Sequence, residues 1–305
     1  MATARATQNE IGWIGVGKMG NPMATRLIEA GHPLTICDPK VENRASLVAR
    51  GAQMAGTPGE VAARCGLIFA TIPNDQALED VIYGDEDHGS FLSQIGAGSV
   101  LVEMSTVSPD LSRRLAEDLL RRGVGYLRCP ISGSTALARA GTLTALASGD
   151  VAAWERAAPL LDLLAARKFY LGPGEEARYM KLVLNTLVGA TSAIIGEALS
   201  LGAMGGLSDR QMMEVIAESA VASPLIRYKQ DMIAQRDFSP AFSVVQMMKD
   251  FTLITEAGRS QQVPMFVANL ILQQYTAAAN VGYAEKDFFA LVDWMRVTYG
   301  IDADA

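Results

Sequence analysis

The chain has 305 residues, half of them hydrophobic and 19% charged, with a formal net charge of −7. Such a length supports a large core shared between two domains, and the composition excludes a disordered or fibrous chain. The acidic balance argues against a nucleic-acid partner, and three cysteines and two histidines at no ligand spacing leave no metal site.

The first ten residues are polar or small and lack the apolar core of a signal peptide. With so few cysteines, a cytoplasmic location is expected. Residues 11–16 then read as a strand and 19–30 as a helix, joined by Gly15-Val16-Gly17-Lys18-Met19-Gly20. Gly15 permits a tight turn and Gly17 lets the backbone approach a pyrophosphate. Gly20 allows close packing of a helix whose first N–H groups face the phosphates. A second strand, 34–37, ends at Asp38, eighteen residues after Gly20. A carboxylate there accepts the adenosine ribose hydroxyls and repels a 2′-phosphate. Strand, glycine loop, helix, strand and acid predict a dinucleotide, NAD in preference to NADP. Arg44, farther along, keeps NADP open.

Residues 41–50 and 58–64 look helical. The short apolar runs 67–72 and 99–104 read as buried parallel strands, and 109–122 as a helix capped by Ser108. Residues 126–131 and 142–147 continue the strands, with 154–166 helical. This rhythm predicts an α/β Rossmann-type doubly wound sheet. It stops at Leu171-Gly172-Pro173-Gly174. Beyond, a period near 3.6 predicts helices over 175–201, 209–217, 244–256, 265–279 and 288–298. The expected organisation is a dinucleotide-binding domain over 1–174 and an all-α domain over 175–305. No uncharged apolar run reaches the roughly twenty residues of a membrane span, so no membrane partner is expected.

Lys181 and Asn185 are four apart and share one helix face. Met180, Leu182, Val183 and Leu184 make the surroundings apolar. Spacing alone admits two readings. One is a lysine snorkelling from a buried helix, with Asn185 bonding a neighbour. The other is a partly desolvated ammonium, its pKa lowered toward neutrality, that passes a proton to a substrate oxygen. A second cluster, Arg128-Cys129-Pro130-Ile131-Ser132-Gly133-Ser134, brings hydroxyls and backbone N–H groups to a turn. These suit a carboxylate, and equally an ordinary turn. Ser132 as a hydrolase nucleophile lacks a base, since His32 and His88 both fall in expected loops.

Four stretches, taken in order, resemble the motifs of the β-hydroxyacid dehydrogenases, which include 3-hydroxyisobutyrate dehydrogenase and tartronate semialdehyde reductase. They are Gly15 to Ala24; Pro130-Ile131-Ser132-Gly133 followed by Ala140-Gly141-Thr142-Leu143; Gly174 through Lys181 to Asn185; and Lys249-Asp250. The resemblance spans Ile11 to about Met295. It implies that Lys181 is the general acid/base, with Asn185 beside it in substrate binding. Ser132 and Gly133 would hold the substrate carboxylate, and Thr106 would sit near nicotinamide and substrate. The loop from Gly15 through Val16, Lys18 and Met19 to Gly20, with Pro73, Asn74 and Lys249, would contact the cofactor. Phe242, Gln246, Met247 and Met213 are candidates for the far side of the pocket. The resemblance also implies an active site in an interdomain cleft and a homodimer or homotetramer built through the helices.

The implied reaction is reversible hydride transfer between NAD and a small 3-hydroxy acid such as 3-hydroxyisobutyrate. Alternatives are reduction of glyoxylate or succinic semialdehyde, reduction of imines with NADPH, and a non-catalytic dinucleotide-binding protein. Lys181 argues against imine reduction, where an aspartate or tyrosine usually stands. Two residues depart from the family pattern: Arg128 where an acid is usual, and Ser134 where glycine is usual.

Overall fold

The computed structural model describes residues 7–84 and 90–301, and His88 lies outside them. The chain divides into two compact units, one ending at Lys181 and one beginning at Leu182. In the first, the described residues form one sheet from β1 (Thr7–Ile14), β2 (Leu34–Cys37), β3 (Gln53–Met54), β4 (Cys65–Ala70), β5 (Val100–Glu103), β6 (Gly125–Arg128), β7 (Ile131–Ser132), β8 (Leu143–Gly149) and β9 (Ala165–Tyr170). The spatial order is β3-β2-β1-β4-β5-β6-β8-β7, with β9 beside β8. β1 to β6 pair in parallel, and β8 runs antiparallel to β6 and β7. Every residue of β2, β4 and β5 is buried, as strands covered on both faces must be. Trp13 and Phe69 face each other across β1 and β4, their rings stacked at 5.0 Å.

The helices of this unit are α1 (Gly20–Glu29), α2 (Val41–Val48), α3 (Pro58–Arg64), α4 (Asp75–Tyr83), α5 (Phe91–Gln94), α6 (Pro109–Arg121), α7 (Thr135–Ala140) and α8 (Val151–Leu161). Ser108 caps α6 through Leu111 N–H, as its position predicts. Two expectations need correction. The predicted strand over 126–131 is broken at Cys129-Pro130, because proline has no N–H for a ladder, and Ile131–Ser132 pairs with β8 instead. The predicted helix over 154–166 starts earlier, where Asp150 accepts from Ala152 and Ala153 N–H, and stops at Leu161. Residues 165–170 form an edge strand, mostly exposed beyond Ala165, with Arg167 and Lys168 at its centre and its β-partner elsewhere in the sequence.

The second unit is all helical: α9 (Glu176–Met204, begun in the first unit), α10 (Asp209–Glu218), α11 (Pro224–Gln235), α12 (Val244–Ser260), α13 (Phe266–Ala278) and α14 (Leu291–Tyr299). α11 escapes the periodicity reading, although Ser223-Pro224 is a regular start signal and Ser223 caps it. α9 is long and apolar enough, by length and composition, to cross a membrane, and 44% of its most apolar stretch is buried in the protein.

Lys229, 1% exposed, ties this unit together. Its ammonium donates to Asp287 at 2.8 Å and lies 5.0 Å from the Phe288 ring centroid, while Asp287 also accepts from Phe289 N–H. Desolvation lowers the Lys229 pKa, and the Asp287 charge opposes that fall. Lys229→Met should therefore leave a buried carboxylate without its cation and cost about 3–5 kcal/mol. Thermal unfolding checks this: the double change Lys229→Met with Asp287→Asn should recover much of the lost Tm.

Candidate active site

The three glycines of the loop stand in different surroundings. Gly15 has φ +82°, and a Cβ on it would lie 2.3 Å from the Thr71 carbonyl oxygen, so the turn demands glycine. Gly20 is confined by packing: its Cβ would fall 2.1 Å from Gly15 O. At Gly17 a Cβ would meet nothing nearer than Asn43 Nδ2 at 3.8 Å. The protein's own packing does not require that glycine, and the space it leaves suits a phosphate approaching the backbone. α1 also starts without a side-chain cap or an acid in its first turn, whereas α3, α4, α6, α7 and α8 are all capped. An anion is what such an N-terminus accommodates. Of the remaining loop residues, Val16 is buried, Met19 half-buried and Lys18 exposed.

Asp38 is 6% exposed and does structural work that the sequence does not reveal. Its Oδ2 accepts from Val16 N–H at 2.9 Å, and its Oδ1 accepts from Lys40 N–H and Asn43 Nδ2. The carboxylate thus holds the loop from behind. Asn21 donates in turn to Asn43 O and Ser46 Oγ, fastening α2 beside the start of α1. Both the loop and its acid fit a dinucleotide.

Lys181 is half-buried in the second turn of α9. The turn before it is anchored by Arg178, 1% exposed. Its guanidinium donates to the Glu103 carboxylate, to Ser105 O at 2.8 Å, to Tyr126 Oη at 3.0 Å and to Ser112 Oγ at 3.2 Å. Glu103 also accepts from Ser105 N–H, and Ser105 Oγ accepts from Ile72 N–H. One buried cation therefore locks the start of the lysine's helix to the end of β5, to Tyr126 of β6 and to the segment leading into Thr106. Burial opposes the Arg178 charge, but Glu103 and Tyr126 outweigh it and hold the group firmly protonated. Neither Arg178 nor Glu103 stands out in the sequence, since the partners are 75 residues apart.

Ser132 lies on β7 opposite Thr144, and Gly133 follows with φ +138°. Asn74 is exposed and its side chain caps α4 through Ala77 N–H, beside exposed Pro73. In the second unit Asn185 is buried and donates to the Asp250 carboxylate, whose other oxygen is 2.9 Å from Lys249 Nζ. Gln246 sits at the third position of α12, where its Oε1 accepts from Ser243 N–H in a capping box. Phe242 packs edge-on against Phe288. Met213 and Met247 are core residues, fully buried, and do not line a surface pocket. All three cysteines are buried; burial pushes the thiols of Cys37 and Cys65 up to about 11 and that of Cys129 to about 12, leaving no ready nucleophile.

Residues 10–172 match the NAD binding domain of 6-phosphogluconate dehydrogenase. Residues 176–295 match the NAD-binding domain of NADP-dependent 3-hydroxyisobutyrate dehydrogenase. The chain is 33% identical to 2-(hydroxymethyl)glutarate dehydrogenase of Eubacterium barkeri, covering 95% of this chain and 96% of the relative. It belongs to the 3-hydroxyisobutyrate dehydrogenase-like family of β-hydroxyacid dehydrogenases. The NAD-dependent L-serine dehydrogenase of Pseudomonas aeruginosa is 32% identical over 95% of this chain and 99% of its own length. The crystal structure of 3-hydroxyisobutyrate dehydrogenase from Salmonella typhimurium superposes with a TM-score of 0.84 at 25% identity, over 93% of this chain and 99% of that one. The chain is thus an NAD(P)-binding oxidoreductase of this family.

Against the family pattern, Arg128 is turned inward, 6% exposed. Its guanidinium lies over the Tyr126 ring at 4.7 Å and pairs with Glu175, the residue just before α9. The reversed charge is thus neutralised by a local acid and helps anchor the same helix start. Ser134 caps α7 through Leu137 N–H. Because Arg178 is wholly buried, Glu103→Gln should strip its counter-charge and cost about 3–5 kcal/mol. A fall in Tm measured by differential scanning fluorimetry checks this, and Arg122→Gln, at an exposed site, should leave Tm unchanged.

Proposed function

We propose that the protein catalyses reversible hydride transfer between NAD and a small 3-hydroxy acid of the 3-hydroxyisobutyrate kind. The observation that carries this reading is the Arg178 anchor, which joins the turn preceding Lys181 to the backbone oxygen of Ser105, next to Thr106. An acid/base group acts efficiently only from a fixed position, and a helix turn locked to strand ends supplies one. When bound, the nicotinamide supplies the hydride acceptor or donor. Lys181, as the neutral amine, takes the proton from the substrate hydroxyl; as the ammonium it returns one to the carbonyl oxygen in reduction. The charge growing on that oxygen favours a preorganised ammonium in the transition state more than in the ground state. Ser132 and the backbone at Gly133 are assigned to the substrate carboxylate, Asn185, Phe242 and Gln246 to the substrate, and Lys249 to the cofactor. The negative charge of Asp38 at the end of β2 supports NAD over NADP, by repulsion of a 2′-phosphate.

The test is absorbance at 340 nm with NAD and NADP across 2-, 3- and 4-hydroxy acids, with the matching aldehydes and cyclic imines run in reverse. Lys181→Ala should lower kcat by about 100-fold or more while leaving the dissociation constant for NAD within a few-fold. Turnover confined to an imine, or an equal rate in the variant, would sink the reading.

We also propose self-association through the helical unit. On α9, Val183, Leu187, Ile194 and Leu201 are exposed, with Leu201 at 78%, and their spacing makes one stripe. A row of large apolar side chains in water is the signature of a contact surface. Leu187→Asp combined with Ile194→Asp should reduce the sedimenting mass to that of a single chain.

A further inference from the structure

Asn185 and Asp250 stand on α9 and α12, and a glycine sets how closely those helices pack. Gly189 lies one turn beyond Asn185. A Cβ there would fall 2.1 Å from Phe251 Cε2 and 3.1 Å from Met247 Sδ. Only a residue without a side chain lets the Phe251 ring reach the α9 backbone. Tyr275 secures the contact, donating to Gly189 O at 3.2 Å and packing its ring 5.7 Å from that of Phe251. Asp250 immediately precedes Phe251, so the same close approach brings its carboxylate, 1% exposed, onto Asn185.

A carboxylate has no hydrogen to give. It accepts the nitrogen end of the Asn185 amide at Oδ2, while its Oδ1 faces the Lys249 ammonium at 2.9 Å. An amide in isolation presents either end. Here the nitrogen end is claimed, and the planar group turns its oxygen the opposite way. We propose that Asp250 is a positioning residue that makes Asn185 an acceptor toward the reacting groups. This rests on the hydroxy-acid reading above, in which Lys181, one turn back on the same helix, is the acid/base. Both groups that would approach Asn185 in that reaction are donors: the substrate hydroxyl and the lysine N–H. An amide with its nitrogen turned toward them would oppose both. The Lys249 ammonium occupies the other carboxylate oxygen of Asp250, which gives the adjacent Lys249-Asp250 pair a second task beside cofactor contact.

The experiment compares Asp250→Asn, Asn185→Asp and the reciprocal exchange of both in the full-length protein. In Asp250→Asn the Lys249 ammonium takes the amide oxygen at 250, so the amide nitrogen faces Asn185 and reverses it, and kcat should fall by about 100-fold. In the exchange, the new amide at 250 donates to the new carboxylate at 185, which again presents an acceptor oxygen. That protein should recover kcat at least tenfold over either single variant, with Tm near wild type. If the exchange folds but is no faster than Asn185→Asp, or if Asp250→Asn turns over at the wild-type rate, the proposal is overturned. A second measurement does not depend on any substrate. In 1H–15N spectra the side-chain NH2 of Asn185 should resist exchange with solvent, and Asp250→Leu should abolish that protection. Protection that survives Asp250→Leu overturns the proposal, whereas wild-type protection without turnover of any hydroxy acid would count against the reaction assignment alone.

Discussion

A guanidinium removed from water determines where the helix of Lys181 begins. Arg178 reaches the end of β5 through Glu103, the following backbone through Ser105, and β6 through Tyr126. A buried ion pair of this kind adds little net stability, because desolvation of both charges offsets their attraction. Its contribution is geometric. A charged fork that must satisfy its donors in a dry site tolerates few positions, so the first turn of α9 has one place to sit. Arg128 and Glu175 reinforce the same junction from β6. The inverted charge at position 128 is thereby absorbed into the scaffold and does not face solvent.

The glycine loop shows the opposite strategy, in which side chains are removed instead of added. Gly15 and Gly20 are required by the protein's own atoms, one for its positive φ and the other for contact with the loop carbonyl. Of the three, Gly17 alone has room for a Cβ, so the protein's own packing does not require it. Asp38 braces the loop through Val16 N–H. One carboxylate therefore fastens the glycine loop to the start of α2.

Part of the candidate site was readable because the chemistry proposed there allows few residues. Tight turns and phosphate approach demand glycine at fixed intervals, and a helix places Lys181 and Asn185 on one face whatever surrounds it. Arg178 and Glu103 carry no such local mark, and Asp250, although it stands in the Lys249-Asp250 stretch, is not marked there as the partner of Asn185. Each is an ordinary charged residue until its partner, 75 or 65 residues away, is known. Asn74 and Gln246 were legible as polar residues near expected ligand positions, yet each side chain is engaged in capping a helix, α4 and α12 respectively. The strands were clearest where they are buried on both faces. The sheet was hardest to read at its edge, where 165–170 is short and charged and gains its β character from pairing with β8.

By itself the sequence determined the α/β-then-α order of the chain, the dinucleotide loop and the helix that carries Lys181 and Asn185. All three follow from periodicity and backbone sterics, which act over a few residues. Only the tertiary structure decided that Arg128 is neutralised by Glu175, that Met213 and Met247 are core, and that Asp250 takes the nitrogen end of Asn185. Those outcomes depend on which distant groups share a site from which water is excluded, and only the packed chain establishes that.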